Sequence, residues 1–409
     1  MTAGFVALCS CASHAPMTTP TPSRAMSQVD LVALVQNLSR ETSTIRGLAF
    51  TREVPVTVQT PAQIASHLRD ELARDRDEIE IERKFGVAMG IFPPGIDLVD
   101  VLSRFVGAEA QGYYDPETAR LVLTEHNATM LGAPGPEGLD ARATVVHELV
   151  HALQHQHFAS RVETADDDSH APALSDGARA RLALLEGDAT LVAMEWAQRR
   201  RGGRLLGAAD MQSRVERWTD NAQVLTEADV PAYVVESTEM PYEAGVRGVA
   251  AMFRAGGFAR VDAAIRNDRV SAADVMHPER TEATSAVVVD PEDAALDSQG
   301  FVRTVTRTLG EMELRLQLGR VMRGERAALL ASAWRGDRVA LFERGNVLAV
   351  RWVVLCDEVA DARAIADALR PLWDRWQREG CPGVAGSEVT RCPSRVELDG
   401  ARVVIARGG

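Results

Sequence analysis

The chain has 409 residues, with 45 Lys and Arg against 58 Asp and Glu and a formal net charge of −13. An acidic balance of this size repels a phosphate backbone, and no basic stripe with interleaved aromatics offsets it, so the sequence argues against a nucleic-acid partner. Apolar residues make up 46% of the chain, enough for a sizeable core, yet no apolar run approaches the roughly 18 residues of a membrane span.

Residues 1–27 read as a leader and tether. Ala3 to Leu8 is apolar, and Leu8-Cys9-Ser10-Cys11 has the form of a bacterial lipobox in which Cys11 would carry the lipid. The Ser/Thr/Pro-rich stretch Ser13 to Ser27 suits a flexible tether. The apolar stretch is short for a signal core and no basic residue precedes it, so an unstructured leader on a cytoplasmic protein stays open. Export, with membrane attachment through lipidated Cys11, is the expectation carried forward.

Beyond the tether, Val29 to Leu38 is apolar at helical spacing, and Val54 to Val58 alternates as a strand does. Thr60-Pro61 opens a helix with proline in its first turn. That helix is expected to continue through the charged stretch Arg69 to Lys84, as a solvated face. A loop at Pro93-Pro94-Gly95 precedes a helix from about Asp97 to Val106. Gln111 to Glu117 and Arg120 to Thr124 read as a hairpin turned at Asp115-Pro116. After Gly- and Pro-rich residues 132–138, Asp140 is the expected N-cap of a helix through Leu153. A second long helix is predicted from Ser175-Asp176 to about Arg200, then helices and irregular segments to about Met276.

The last third differs. Val339 to Phe342 and Val347 to Leu355 read as strands joined at Arg344-Gly-Asn346, and Asp361 to Gln377 as an amphipathic helix. Asp399-Gly400 is a strong hairpin signal between Val396-Glu-Leu398 and Val403-Val-Ile405. Cys356, Cys381 and Cys392 lack zinc-finger spacing. Cys381 and Cys392 flank a Gly-containing loop and could pair in an exported protein. The expected class is α+β: a mostly helical domain at 28–285 and a smaller α/β domain at 286–409.

The chemistry concentrates in Thr144-Val-Val-His-Glu-Leu-Val-His-Ala-Leu153. Residues four apart on a helix differ by only about 40° in direction, so His147 and His151 project from one face and can share an ion. Glu148 lies beside them, placed to take a proton from water. Val145, Val146, Leu149 and Val150 surround them, where unpartnered polar groups would be costly to bury.

A catalytic zinc takes three protein ligands and leaves a fourth position open. His155 extends the stripe, but it sits about 6 Å further along the axis than His151. His157 stands at the last histidine of the metzincin pattern, although Gln154 replaces the required glycine. Glu186 is preferred, because Glu186 and Asp188 interrupt an otherwise apolar helical run, Leu182 to Val192, and call for a cation. Gly187 is expected to let this helix pack closely against the motif helix. Asp188 is expected to accept the remaining N–H of a ligand histidine.

His147-Glu148-Leu-Val-His151 followed by Glu186-Gly-Asp188 resembles the gluzincins, zinc peptidases with a glutamate third ligand. The chain also resembles a family of bacterial His-Glu-x-x-His proteins, some of them predicted lipoproteins. The matching stretches are Gly112 to Pro116, His147 to Phe158, Glu186 to Ala189, Pro241 to Gly245, His277-Pro278 and Ala333 to Arg338. His155 departs from that family, where an aspartate is expected. The resemblance implies a zincin-like domain holding one Zn2+ and acting on a peptide or protein substrate. Glu148 would be the general base, with Tyr242 or His277 steadying the oxyanion. The rival expectation is a catalytically silent, metal-containing surface binding protein on the same scaffold. Glu148 argues against it, since a silent site needs no general base.

Overall fold

The computed structural model describes residues 27–109, 111–162, 175–220, 230–280, 291, 294–379 and 394–408. The lipobox, the tether before Ser27, and Cys381 with Cys392 lie outside them.

Helix α1 (Gln28–Arg46) starts at Ser27, whose hydroxyl accepts the Asp30 N–H, and ends at Gly47 with φ 77°, a left-handed cap that glycine adopts without a Cβ penalty. Strand β1 (Val56–Gln59) follows. Thr60 and Gln63 then form a reciprocal capping box on α2 (Pro61–Arg74). The charged stretch is not one helix, because α2 stops at Asp75 and α3 (Arg76–Ala88) begins anew. Nor is it wholly solvated: Glu82 is buried in a bidentate pair with Arg307. Next come α4 (Leu98–Glu109), the hairpin β2 (Gly112–Asp115) and β3 (Arg120–Thr124), and the short α5 (Glu125–Met130). Strand β1 lies parallel to β3 in a three-stranded sheet ordered β1-β3-β2.

Helices α6 (Gly135–Val162) and α7 (Asp176–Arg200) form the middle of the molecule. Ser175 caps α7 as expected. Asp140 does not cap α6, which starts five residues earlier at Gly135; a polar residue ahead of an apolar run mimics a cap. Val145, Val146, Leu149, Val150, Ala152 and Leu153 are all fully buried, so α6 is apolar on nearly every side, and its polar side chains are exceptions that need partners. Around this pair lie α8 (Met211–Asp220), α9 (Ala232–Ile265, broken at Gly256–Gly257) and α10 (Ala272–Met276).

The C-terminal part contains α11 (Ala294–Ser298), β4 (Val302–Arg307), α12 (Gly310–Gly319), α13 (Gly324–Ala331), β5 (Trp334–Arg344), β6 (Val347–Cys356), α14 (Val359–Glu379), β7 (Ser394–Asp399) and β8 (Arg402–Arg407). Its five strands form an antiparallel sheet ordered β4-β5-β6-β8-β7. The chain is thus α+β, mostly helical first and sheet-containing last. The division expected at residue 285 does not interrupt the packing. Phe85, Leu98 and Phe105 from α3 and α4 share one apolar core with Trp334, Leu341, Trp352, Leu369 and Ile405.

Two buried carboxylates tie the start of α7 to the sheet. Asp337 on β5 accepts the Leu309 and Gly310 N–H groups at the head of α12 and the Trp334 indole, each at 2.8 Å. Asp176 accepts the Ala272 N–H at 3.0 Å and donates its own N–H to the Thr308 carbonyl at 2.9 Å. Burial pushes Asp176 up to about 7 and Asp337 up to about 6. Above the ordinary aspartate value near 3.8 the unfolded Asp176 has lost its proton while the folded one keeps it. Stability from this residue therefore falls as pH rises from about 4 to about 7. Asp176→Asn keeps an acceptor and removes the titration. Between pH 5 and pH 8 its unfolding free energy in urea should gain on the wild type by on the order of 2–3 kcal/mol. Parallel pH curves for the two proteins would refute this.

Candidate metal centre

The site is built across α6 and α7. His147 Nε2 lies 3.1 Å from Glu186 Oε2, His151 Nε2 lies 3.0 Å from His147 Nε2, and His151 Nε2 lies 3.4 Å from Glu186 Oε2. Ligand bonds of about 2.0–2.1 Å at tetrahedral angles would separate such atoms by about 3.3 Å, so the triangle already has the dimensions of a zinc ligand set. Among the described residues it is the one group of this kind able to hold a metal.

Glu186 is fully buried. Burial alone would raise its carboxyl, yet the two histidines outweigh burial and hold it down at about 2. Burial likewise opposes charge on His151, but the Glu186 carboxylate prevails and raises the imidazole. A negative charge is thus maintained in the interior, facing two ring nitrogens.

What brings α7 into place differs from expectation in one respect. Gly187 does pack backbone to backbone, but against α9, not α6. A Cβ on Gly187 would sit 2.3 Å from the Gly245 carbonyl carbon, and one on Gly245 would sit 2.0 Å from the Ala183 oxygen. Only paired glycines let the two helices cross this closely. The crossing carries Tyr242, nearly one turn before Gly245, over the site, where its ring stacks on His147 with centroids 6.4 Å apart and planes 26° apart.

Glu148 is 1% exposed, and its Oε2 accepts the backbone N–H of Tyr114 at 2.9 Å. Strand β2 is an edge strand, so this N–H is available for a partner outside the sheet. The strand thus helps to orient the carboxylate.

Other candidates are placed elsewhere. His155 Nδ1 meets the Tyr114 hydroxyl at 2.8 Å. His157 Nε2 meets the Ala49 carbonyl at 2.7 Å, as a donor, so the metzincin alternative has no geometric support. His277 caps α10 and binds Glu311 at 2.7 Å; none of its hydrogen bonds reaches the cluster. Cys356 is buried, and burial pushes its thiol up to about 12, which leaves it an inert core side chain.

Asp188 corrects a further expectation. It is fully buried, but its oxygens accept from Arg46 Nε at 2.7 and 2.9 Å and from Gln154 Nε2 at 3.0 Å, not from a histidine. Gln154 stands between them, its Oε1 2.8 Å from His151 Nδ1. Sequence reasoning noticed Gln154 only as a missing glycine. A clue existed, since Gln154 follows His151 by three residues on the same face of an apolar helix. Arg46 had no local signal, because nothing in α1 says which helix its last turn will meet.

A family model described as Domain of unknown function (DUF8575) matches residues 299–409. That segment spans β4 to β8 and includes none of His147, Glu148, His151 or Glu186. No curated protein and no solved structure matches the chain.

Proposed function

We propose that the protein is a zinc-dependent hydrolase of peptide bonds. The observation that carries this reading is the convergence of His147 Nε2, His151 Nε2 and Glu186 Oε2 at 3.0–3.4 Å, with the Glu148 carboxylate supplied by the same helix turn. Two imidazoles and one carboxylate with a fourth position left over are the donor set of a catalytic zinc. The likeness of His-Glu-x-x-His followed by Glu186 to the gluzincins supports the same reaction class.

Bound zinc supplies Lewis acidity, which acidifies water and polarises a carbonyl. The protein's own residues supply the rest. Glu148, with one oxygen tied to the Tyr114 N–H, accepts a proton from the attacking water and passes it to the leaving amine. Tyr242, stacked on His147, donates its hydroxyl proton toward the developing oxyanion. Apolar side chains of α6 and α7 pack on either side of the triad and support its geometry. Attachment through Cys11 belongs to the same proposal; no helix of the described residues is long and apolar enough to cross a membrane.

Elemental analysis of the purified protein should return about one zinc per chain. Chelator dialysis should abolish cleavage of a denatured protein substrate, and added zinc should restore it. Absence of stoichiometric metal after reconstitution would sink the reading. One zinc per chain with no cleavage across a broad substrate panel would favour the silent binding protein.

A further inference from the structure

The contacts behind His151 determine which of its ring nitrogens is left for a metal. Gln154 is 2% exposed. Its Nε2 lies 2.9 Å from the Leu185 carbonyl and 3.0 Å from Asp188 Oδ2, and its Oε1 lies 2.8 Å from His151 Nδ1. Both neighbours of Nε2 can only accept, and together they use the two N–H groups of the amide. Turning the amide over would press its oxygen against a carbonyl and a carboxylate in a buried place. The orientation is therefore set by chemistry, and the oxygen facing His151 can only accept. It follows that His151 Nδ1 carries the hydrogen, and a neutral imidazole then offers its lone pair at Nε2. That is the atom aimed at His147 and Glu186.

We propose that Gln154 is a positioning residue that locks His151 in its metal-binding tautomer, anchored through Asp188 by Arg46. This rests on the zinc reading of the centre. Arg46 is 1% exposed; it joins Asp188 on α7 and Asp262 on α9, and its guanidinium lies 4.4 Å over the Phe258 ring. The relay thus runs from α1 through α7 to α6, and each link is a charged or fully used hydrogen-bonding group. A neutral amide in the middle has a specific effect. It passes on orientation without passing on charge, so His151 gains an acceptor while Glu186 gains no second anion beside it. A carboxylate in direct contact with the ring would raise the basicity of the ligand; the interposed glutamine moderates that.

Two measurements test this. In 15N-labelled, zinc-loaded wild type, histidine nitrogen spectra should show His151 with a slowly exchanging proton on Nδ1 and the metal on Nε2. The opposite assignment overturns the proposal. In Gln154→Met, which keeps side-chain length and loses both polar functions, the zinc dissociation constant should rise by about 10–100-fold in competition with a chromophoric chelator. Exchange of the Nδ1 proton should quicken alongside, in a variant that still melts cooperatively. A folded Gln154→Met with wild-type zinc affinity overturns the inference and leaves the zinc reading standing. A wild type that binds no zinc overturns both. If Gln154→Met does not fold, the proton position in the wild type decides alone.

Discussion

Glu148→Gln should bind zinc as the wild type does and hydrolyse peptides at least 100-fold more slowly. The side chain is adjacent to His147 but is not one of the three converging ligands, so its loss leaves the donor set intact. Glutamine retains an oxygen to accept the Tyr114 N–H, which now reaches Glu148 at 2.9 Å, so the contact between β2 and α6 should persist. What disappears is the basic oxygen. A positioned general base contributes about 10²–10⁴-fold to rate, and an amide cannot take a proton from water at neutral pH. The expected result is a drop of that order in kcat with the zinc content unchanged, read by elemental analysis on the same sample. A zinc-replete variant that cleaves at the wild-type rate would mean that another group activates water, and the assignment of Glu148 would fail.

Glu186→Ala should strip the metal, whereas His157→Ala should leave it in place. Glu186 supplies one corner of the triangle from a fully buried position. Its removal takes away both a ligand and the only negative charge among the three side chains. The two histidines would then face each other across a cavity with no carboxylate ligand left to bind a dication. A loss of zinc affinity exceeding the roughly 10–100-fold typical of residues that merely orient ligands is expected. His157 donates to the Ala49 carbonyl and should change affinity little. Chelator titration of the two variants side by side gives the ranking, and the reverse order would return the third ligand to His157.

How much of this could be read in advance depended on how local each signal was. The caps at Thr60 and Ser175 are chosen by residues within one turn, and both stand as expected. The Asp399-Gly400 hairpin is as local, and β7 and β8 pair across it. Asp140 misled because N-cap chemistry is common in polar residues that precede apolar runs, while the true start at Gly135 follows a Pro- and Gly-rich loop. Strand β4 and helices α12 and α13 escaped notice because each is short, and Arg315 or Arg303 interrupts any simple period.

The metal triangle divides along the same line. His147 and His151 meet by helical geometry alone, and Glu186 was legible as an acid stranded in an apolar run. Which helix Gly187 would approach was not legible, because a glycine announces a close contact without naming the partner. The link through Gln154 was hidden for a related reason. Glutamine is ambiguous in sequence, being donor and acceptor at once, and only the neighbours Leu185 and Asp188 settle which end faces the histidine.

The shared core has a consequence for synthesis. Phe85 and Phe105 leave the ribosome early, yet the apolar core they belong to also includes Ile405 of the last strand, β8. About 300 residues separate them, so at roughly 5–20 residues per second the first partners wait on the order of 15–60 s for the last. During that interval the part of the α3 and α4 surface that faces the C-terminal sheet waits for its partners, long after α6 and α7 have emerged to pair with α1. The metal-bearing helices can close while translation is still under way. The core that α3 and α4 share with the five-stranded sheet cannot, and a chain stalled before β8 still lacks the strand that completes it.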